Sequence, residues 1–267
     1  MSLKLFIYDR YRRVLAAGQK RRLLKQAGPG SLDRADWPRS LEEPTGFYLD
    51  CFRYFHQHLP VPLRQHRTYF SQKRRGFGED AMHVEWFLLF RELRPSSFLE
   101  IGVYRGQVLS LAAMLAESNG APCFIQGISP FSSAGDSVTT YLGGLDYFED
   151  TLENFRHFSL PPPNLLKAFS TDAEAVALIQ SRSWDLIYID GNHDYAVVQR
   201  DWEVCSKQIR AGGVIVLDDA ALDSGFCPPI FATGGHPGPS RLAGEIDRKQ
   251  FREILQVGHN RAFRRIV

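Results

Sequence analysis

The chain has 267 residues, of which 44% are hydrophobic and 23% are charged, a composition typical of a globular protein that buries a sizeable core. A formal net charge of only +2 gives no indication of a nucleic-acid-binding protein, and no run of about 18 apolar residues predicts a transmembrane helix. The four cysteines are dispersed without metal-ligand spacing, and the N-terminus lacks the apolar stretch of a secretion signal. These features argue against a disulfide framework and predict a cytoplasmic protein.

The first 25 residues are strongly basic, since they carry eight Lys and Arg residues against the single acid Asp9. We expect a helix with a solvated basic face; contact of that face with an anionic membrane or an acidic partner is the alternative. Residues 28–44 are rich in Gly, Pro and Ser and predict a linker or loop, whereas residues 45–78 contain no motif. The first 78 residues are therefore expected to form an N-terminal extension with a basic helix, a Gly/Pro linker and a lid for the following domain.

Short apolar segments alternate with helical segments from residue 79 onward, which is typical of a mainly parallel sheet with helices on both faces. The predicted strands of this part are residues 97–101, 123–128, 165–169, 186–189 and 214–217. Residues 251–257 and 262–267 flank a short turn and predict an antiparallel hairpin. The expected fold class is α/β, with residues 79–267 forming a doubly wound, mainly parallel, seven-stranded Rossmann-like sheet that ends in this hairpin.

The first of these strands runs into a glycine turn, FLEIGVYRG, at residues 98–106. Ligands of doubly wound sheets bind beyond the carboxyl ends of the strands. Gly102 would let a ligand approach the backbone closely, and Gly106 would let the chain enter the next helix. Glu100 stands where the dinucleotide fingerprint has its first glycine, so the turn suits a cationic ligand better than a pyrophosphate. A tight turn without a ligand is the alternative.

Three carboxylates follow the fourth and fifth strands. Asp190 ends the fourth strand, in the segment SWDLIYIDGNHDY, and Asp218 and Asp219 end the fifth. Neighbouring strands lie about 4.8 Å apart, so these acids should converge and repel one another unless a proton or a cation intervenes. Hard oxygen ligands favour Mg²⁺, Mn²⁺ or Ca²⁺, and Mg²⁺ is the metal we expect. Turn chemistry and helix capping are the alternative for Asp218 and Asp219.

His193 lies three residues after Asp190, in the loop that opens the next helix. Its imidazole can take and return a proton near neutral pH, so we expect a general base. Of the eight histidines, we expect this one alone to lie at a strand end beside acids. A structural loop histidine is the alternative.

Three motifs in this order resemble the class I S-adenosylmethionine-dependent methyltransferases: EIGVYRG, then WDLIYIDGNHDY, then GGVIVLDD. Within that class the sequence is most similar to the divalent-metal-dependent O-methyltransferases, including the macrocin type that methylates sugar hydroxyls. The resemblance covers about residues 79–267. It implies that Asp190, Asp218 and Asp219 hold a metal and that His193 is the base. It also implies a set of residues around S-adenosylmethionine, namely Glu100, Gly102, Tyr104, Gly106, Ser129, Ser170 and Asp172.

One position departs from that pattern. Most of the superfamily ends the second strand with an acid that binds the ribose hydroxyls, whereas this chain has Ser129, followed by Asp136 in a Gly/Ser-rich loop. A neutral hydrogen bond is roughly half as strong as a charge-assisted one, so cofactor affinity is lower or Asp136 substitutes. On the adenine side, a plain helix cap accounts for Ser170 and Asp172 equally well.

The sequence therefore predicts a metal-dependent O-methyltransferase that acts on a hydroxyl of a small molecule or sugar, with residues 220–240 as a further lid. One alternative is an enzyme similar to cephalosporin hydroxylases on the same fold. It ranks lower because a single histidine among the carboxylates does not match an iron site of two histidines and one carboxylate. The other alternative is a non-catalytic S-adenosylmethionine-binding module held to a membrane or assembly by the basic N-terminus. Sugar, polyketide and phenolic acceptors all remain open, as does the oligomeric state.

Overall fold

A single seven-stranded sheet organises the computed structural model of the protein, which describes residues 3–134 and 141–267. The strands are β1 (Ser97–Ile101), β2 (Phe124–Ser129), β3 (Asn164–Lys167), β4 (Trp184–Ile189), β5 (Ile209–Leu217), β6 (Phe251–Val257) and β7 (Asn260–Arg265). Their order is β3-β2-β1-β4-β5-β7-β6, and β1 to β5 are parallel. This confirms the predicted fold class, because the strand order reverses beside β1 as in doubly wound sheets.

The C-terminal hairpin joins the sheet through β7, which pairs antiparallel with β5. Its turn is tighter than predicted: Val257 pairs with Asn260, so only Gly258 and His259 form the loop, and Gly258 has a φ of +66°. Leu217 at the end of β5 pairs with Arg261 near the start of β7. The hairpin turn therefore lies at the same edge of the sheet as the residues that follow β5.

Helices cover both faces of the sheet, as predicted. Those before the sheet are α1 (Leu3–Leu24), α2 (Trp37–Glu42), α3 (Pro44–Gln57), α4 (Val61–Ser71) and α5 (Asp80–Leu93). Those within or after it are α6 (Gln107–Ser118), α7 (Tyr147–His157), α8 (Ala173–Gln180), α9 (Tyr195–Gln208) and α10 (Pro237–Glu245). Alternate strand residues point to opposite faces, so Leu186 and Val214 join one hydrophobic core while Ile187 and Ile215 join the other. Within residues 3–134 and 141–267, no helix has the length and apolar character needed to cross a membrane.

The N-terminal extension begins with the predicted basic helix, α1, but the predicted linker is wrong for residues 34–42. These residues form a short 3₁₀ helix and then α2. Asp33 and Asp36 cap the 3₁₀ helix reciprocally, and Pro38 lies in the first turn of α2, where proline starts a helix rather than breaking it. Ser40 accepts a hydrogen bond from the backbone N–H of Gln256 (2.9 Å), which ties α2 to β6.

Residues 45–78 are mostly helical and pack closely against the sheet domain. Helix α3 contacts α5 and β6, and its buried Phe47 and Phe52 belong to the same hydrophobic core as Val214. The extension and the sheet therefore share one core over this face.

Candidate active site

Two adjoining cavities open at the carboxyl ends of the central strands, where a doubly wound sheet binds its ligands. The first, of about 270 Å³, lies among the residues that follow β1, β2, β3 and β4. The second, of about 390 Å³, lies between the sheet and the segment that joins α4 to α5. The residues that line both cavities are Phe77, Gly102, Tyr104, Asp190 and His193.

The glycine turn after β1 brings the tips of β1 and β4 into contact. Gly102 has a φ of +94°, and a Cβ atom at this position would lie 1.8 Å from the backbone oxygen of Asp190. The sequence argument assigned Gly102 to close approach by a ligand, but the neighbour that requires a glycine is the β4 backbone. Gly106 opens α6 with a φ of +77°, as expected, and a Cβ there would lie 2.7 Å from a methyl group of Thr151. Gly106 lines neither cavity.

The other predicted cofactor residues are distributed unevenly. Tyr104, Ser129 and Ser170 line the first cavity, and Ser129 Oγ donates to the backbone oxygen of Val103 (2.9 Å). Asp172 lines neither cavity; its Oδ2 accepts from Phe169 N (2.9 Å) in the turn before α8. Asp136, the predicted substitute for Ser129, lies outside the described residues.

Glu100 lines the second cavity and is fully enclosed. Its Oε2 is buried without a hydrogen-bond partner among the described residues. Burial, followed by the charge of Asp218, raises the pKa of Glu100 to about 8. The side chain is therefore mostly protonated at neutral pH, and a nearby cation would favour its charged form.

The predicted carboxylates do converge beside β4 and β5. Asp190 and Asp218 share a hydrogen bond, and the pKa of Asp190 is raised well above its usual value by burial and by the charge of Asp218. The pKa of Asp218 is held below its usual range, because the neighbouring His259 outweighs the opposing effect of burial. Asp219 has a φ of +52°, a left-handed conformation that aspartate tolerates better than most residues.

Two further histidines lie beside these acids, so the prediction that His193 is alone there is wrong. His193 Nε2 lies 2.7 Å from Asp219 Oδ2, and His236 Nε2 lies 3.7 Å from the same oxygen. His259 Nε2 lies 3.4 Å from Asp218 Oδ1. Burial lowers the pKa of His259, but the charge of Asp218 outweighs it and raises the pKa to about 10, so this imidazole is protonated at neutral pH.

A specific backbone segment positions each of these two further histidines. His259 occupies the hairpin turn beside the end of β5. His236 follows Gly235, which forms an antiparallel bridge with Ala220, and the His236 N–H donates to the backbone oxygen of Asp219 (2.8 Å).

Two groups of side chains in the described residues have ligand atoms close enough to share a metal ion. One group is His193, Asp219 and His236, and the other is Asp218, Asp219 and His259; within each, the ligand atoms lie within 4.8 Å of one another. Asp190, a predicted ligand, belongs to neither group. The donor set of carboxylate oxygens and imidazole nitrogens fits a divalent metal. Imidazole suits Fe and Zn, whereas carboxylates suit Mg²⁺ and Mn²⁺.

Comparison with known proteins identifies the sheet region. Residues 99–220 match the protein-family model described as a methyltransferase domain. This part of the chain is therefore assigned to a methyltransferase domain. An uncharacterized protein of Acanthamoeba polyphaga mimivirus is 27% identical over 127 residues, which cover 46% of this chain and about half (51%) of the viral protein.

Solved structures share the fold of this methyltransferase domain. The S-adenosylhomocysteine-bound methyltransferase PaMTH1 of Podospora anserina is 16% identical, with a TM-score of 0.58 and coverage of 84% of this chain and 97% of that one. A Staphylococcus aureus protein provisionally described as a caffeoyl-CoA O-methyltransferase is 12% identical, with a TM-score of 0.55 and coverage of 79% and 95%. At these identities the likeness shows a shared fold alone.

Residues 75–78 of the N-terminal extension form one wall of the second cavity, whereas the sequence predicts only a lid. Glu79 accepts hydrogen bonds from the Tyr48 hydroxyl (2.6 Å) and from the backbone N–H of Thr233 (3.1 Å). Arg105, in the glycine turn, pairs through two nitrogens with Asp150 (2.6 and 2.7 Å). Its third nitrogen donates to the backbone oxygens of residues 73 and 74 (3.1 and 3.2 Å), so the turn and the extension hold each other in place.

Proposed function

We propose that the protein is a metal-dependent O-methyltransferase that transfers the methyl group of S-adenosylmethionine to a hydroxyl group of a small polar molecule. The observation that carries the proposal is the junction of the two cavities. Asp190 and His193 line both of them, so a donor in the first cavity and an acceptor in the second would meet beside a carboxylate cluster and an imidazole. The O-methyltransferases among the structural neighbours support this reading.

The first cavity suits S-adenosylmethionine. Its walls combine the backbone of Gly102 and Gly191 with the hydroxyl groups of Tyr104, Ser129 and Ser170. Glu100 lines the adjoining second cavity, and it would ionise as the sulfonium charge approaches. The bound cofactor supplies an electrophilic methyl group, and the contribution of these residues is to position it.

We expect His193 to act as the general base that removes the proton of the acceptor hydroxyl. Asp219 accepts a hydrogen bond from His193 Nε2, which fixes the ring and leaves the lone pair of the neutral imidazole on Nδ1. Asp218 and Asp219, with Asp190, would hold a divalent cation; His259 could join them only after losing its proton. Such a cation supplies Lewis acidity that lowers the pKa of an acceptor hydroxyl.

The acceptor is expected to be polar. The second cavity is lined by hydrogen-bonding side chains such as Glu79, Gln107 and Thr233, with Trp86 and Phe77 as apolar walls. A buried site with polar groups recognises a polyhydroxylated molecule better than a purely apolar one, because unpaired polar groups are costly. We therefore favour a sugar-like hydroxyl over an isolated phenol.

Titration calorimetry with S-adenosylmethionine, in EDTA and then with Mg²⁺ or Mn²⁺, tests the proposal. We expect saturable cofactor binding, followed by metal-dependent transfer of one methyl group to members of a panel of sugars and phenols, read by mass spectrometry. The absence of cofactor binding under every metal condition would refute the proposal. Binding followed by metal-independent transfer would refute the role of the metal.

A second candidate function is an oxygenase on the same fold. His193, Asp219 and His236 form a group of two histidines and one carboxylate, which removes the reason for ranking this alternative low. It predicts tight Fe(II) binding and oxygen uptake without any affinity for S-adenosylmethionine, so the same calorimetric experiment separates the two functions.

A further inference from the structure

A groove of about 580 Å³ lies at the opposite end of the sheet from the two cavities. The residues that line it include Arg34, Trp37 and Leu41 from the N-terminal extension, and Gly212, Arg252, Ile254, Arg264 and Ile266 from the end of the sheet. Gly212 lies near the start of β5, whose other end leads to Asp218. The groove is therefore separate from the methyl-transfer site, and its role does not depend on the function proposed above.

The groove contains two guanidinium groups that form no direct ion pair among the described residues. Arg252 and Arg264 stand directly opposite each other on the paired strands β6 and β7. Neither side chain makes an ion pair or a hydrogen bond with the residues that the structure describes, and Arg264 Nε is buried without a partner. Like charges directly opposite on neighbouring strands destabilise a sheet. Arg252 is exposed and water solvates its charge, whereas Arg264 is half-buried and lacks a partner.

The nearby acids are already engaged. Glu92 pairs with Arg34 (2.6 Å), and Glu253 pairs with Arg261 and Arg248 (2.6 and 3.3 Å). The pKa of Arg264 is lowered by burial and then by the charge of Arg34, and the charge of Glu92 offsets this only in part. Arg264 is therefore a cation that is partly withdrawn from water beside another cation. Burying a charge without a partner is costly.

Besides the charged residues Arg34, Glu253 and Arg265, the remaining walls of the groove are mostly apolar. Trp37, Pro38, Leu41, Ile254 and Ile266 line the groove, and the indole N–H of Trp37 is also buried without a hydrogen-bond partner among the described residues. Guanidinium groups match the geometry of carboxylate and phosphate oxygens, whereas the apolar walls suit a hydrocarbon body.

We propose that this groove binds an organic anion, a carboxylate or phosphate monoester that carries an apolar group, with Arg252 and Arg264 on the anionic end. The bound anion neutralises the positive charges of Arg252 on β6 and Arg264 on β7. It contacts α2 as well as the sheet, so binding also joins the N-terminal extension to the methyltransferase domain.

Titration calorimetry of the full chain with octanoate and with octyl phosphate tests the proposal, and octanol serves as the uncharged probe. We expect saturable binding of at least one anion below about 10 mM and none of octanol. The stronger of the two anions identifies the headgroup class. Arg252→Gln should weaken binding by about tenfold or more, the usual worth of a charge-assisted hydrogen bond. Arg156→Gln, which changes an exposed arginine on α7, is the matched control and should bind as wild type.

Arg264→Met gives an independent test on the ligand-free protein. Because it removes an uncompensated cation and keeps the length of the side chain, it should raise the Tm while abolishing anion binding. A lower Tm would show that Arg264 is structural and would contradict the proposal. Equal affinity of wild type and Arg252→Gln, equal binding of octanol, or no saturable binding of either anion would overturn it.

Discussion

At the scale of single residues, the imidazole of His193 has two competing roles in this site. Its Nε2 points to Asp219 at 2.7 Å, the geometry of a base that a carboxylate orients. The same imidazole belongs to the group with Asp219 and His236, the geometry of a metal ligand. The ring cannot donate a proton from Nε2 and bind a metal through it at the same time. The two roles therefore predict different effects of substituting His193.

We expect His193→Ala to keep its affinity for metal and cofactor and to slow the chemical step by roughly 10²–10⁴-fold, the usual worth of a positioned base. His236→Ala, its comparison variant, should reduce metal affinity instead. Single-turnover rates and metal titrations measure the two effects. If His193→Ala loses metal as strongly as His236→Ala does, His193 is a ligand and the base must be sought elsewhere.

Asp201, on α9, links stability to pH. It is buried, it shares a hydrogen bond with Ser170, and burial raises its pKa to about 7. The folded state therefore holds a proton that the unfolded state releases above its own pKa, so Asp201 makes the free energy of unfolding fall as pH rises from about 4 to about 7.

Asp201→Asn should remove that dependence. At pH 8 the variant should exceed wild type in free energy of unfolding by up to about 4 kcal/mol, at about 1.4 kcal/mol for each unit of pKa shift. Near pH 4 the two proteins should be similar. Urea unfolding at both pH values measures the difference, and a variant that is less stable than wild type at pH 8 would contradict the assigned pKa.

The acids of this site and His193 were predicted from the sequence, whereas His236 and His259 were missed. Asp190, Asp218 and Asp219 each end an apolar run, and the parallel order of β4 and β5 brings such ends together. His259 left a usable signal, because a hairpin antiparallel to β5 must place its turn beside Asp218. His236 left none, since a bridge within a Gly/Pro-rich loop positions it.

At the scale of elements, the segment between β5 and α10 determines where Asp219 lies. Gly235 has a φ of +102°, and a Cβ there would lie 2.3 Å from the backbone oxygen of Asp219. The adjacent Gly234 has only ordinary neighbours, the nearest 3.6 Å from the equivalent position. A Cβ atom therefore fits at Gly234 but not at Gly235, although the two glycines are adjacent in the chain.

Gly235→Ala should displace Asp219, lower the Tm and reduce metal affinity, because the new methyl group collides with backbone that cannot move aside cheaply. Gly234→Ala is the matched control and should behave as wild type. Thermal unfolding and metal titration provide the readouts. A Gly235→Ala variant with wild-type metal affinity would show that the bridge does not position the site.

Helices and strands were predicted correctly where the sequence pattern is typical of only one kind of element. The alternation of apolar and helical segments predicted a doubly wound parallel sheet, because buried parallel strands are nearly continuous runs of apolar residues. The loop predicted from composition was wrong for residues 34–42, because prolines and acids occur both in loops and in the first turn of a helix.

At the scale of the whole molecule, the N-terminal extension has two parts with different contributions to stability. Helix α1 contacts the loop at residues 230–231: Gln19 accepts a hydrogen bond from Ile230 N (3.2 Å), and Lys20 Nζ lies 5.0 Å from the centre of the Phe231 ring. The following helices instead supply part of the core, because Phe47, Phe52 and Phe70 are among the largest fully buried side chains.

Truncation separates these contributions. Deleting residues 1–27 should leave a folded protein that binds S-adenosylmethionine as wild type does. Acceptor KM should rise, because the loop at residues 230–231 loses its contacts with α1.

Deleting residues 1–78 should instead prevent folding, since each buried phenylalanine contributes about 1.5–3 kcal/mol and a domain retains only about 5–15 kcal/mol in total. Circular dichroism and cofactor calorimetry on both truncations measure this. A folded, cofactor-binding fragment of residues 79–267 would show that the sheet closes its core without the extension, and loss of cofactor binding on removal of residues 1–27 would place α1 in the site itself.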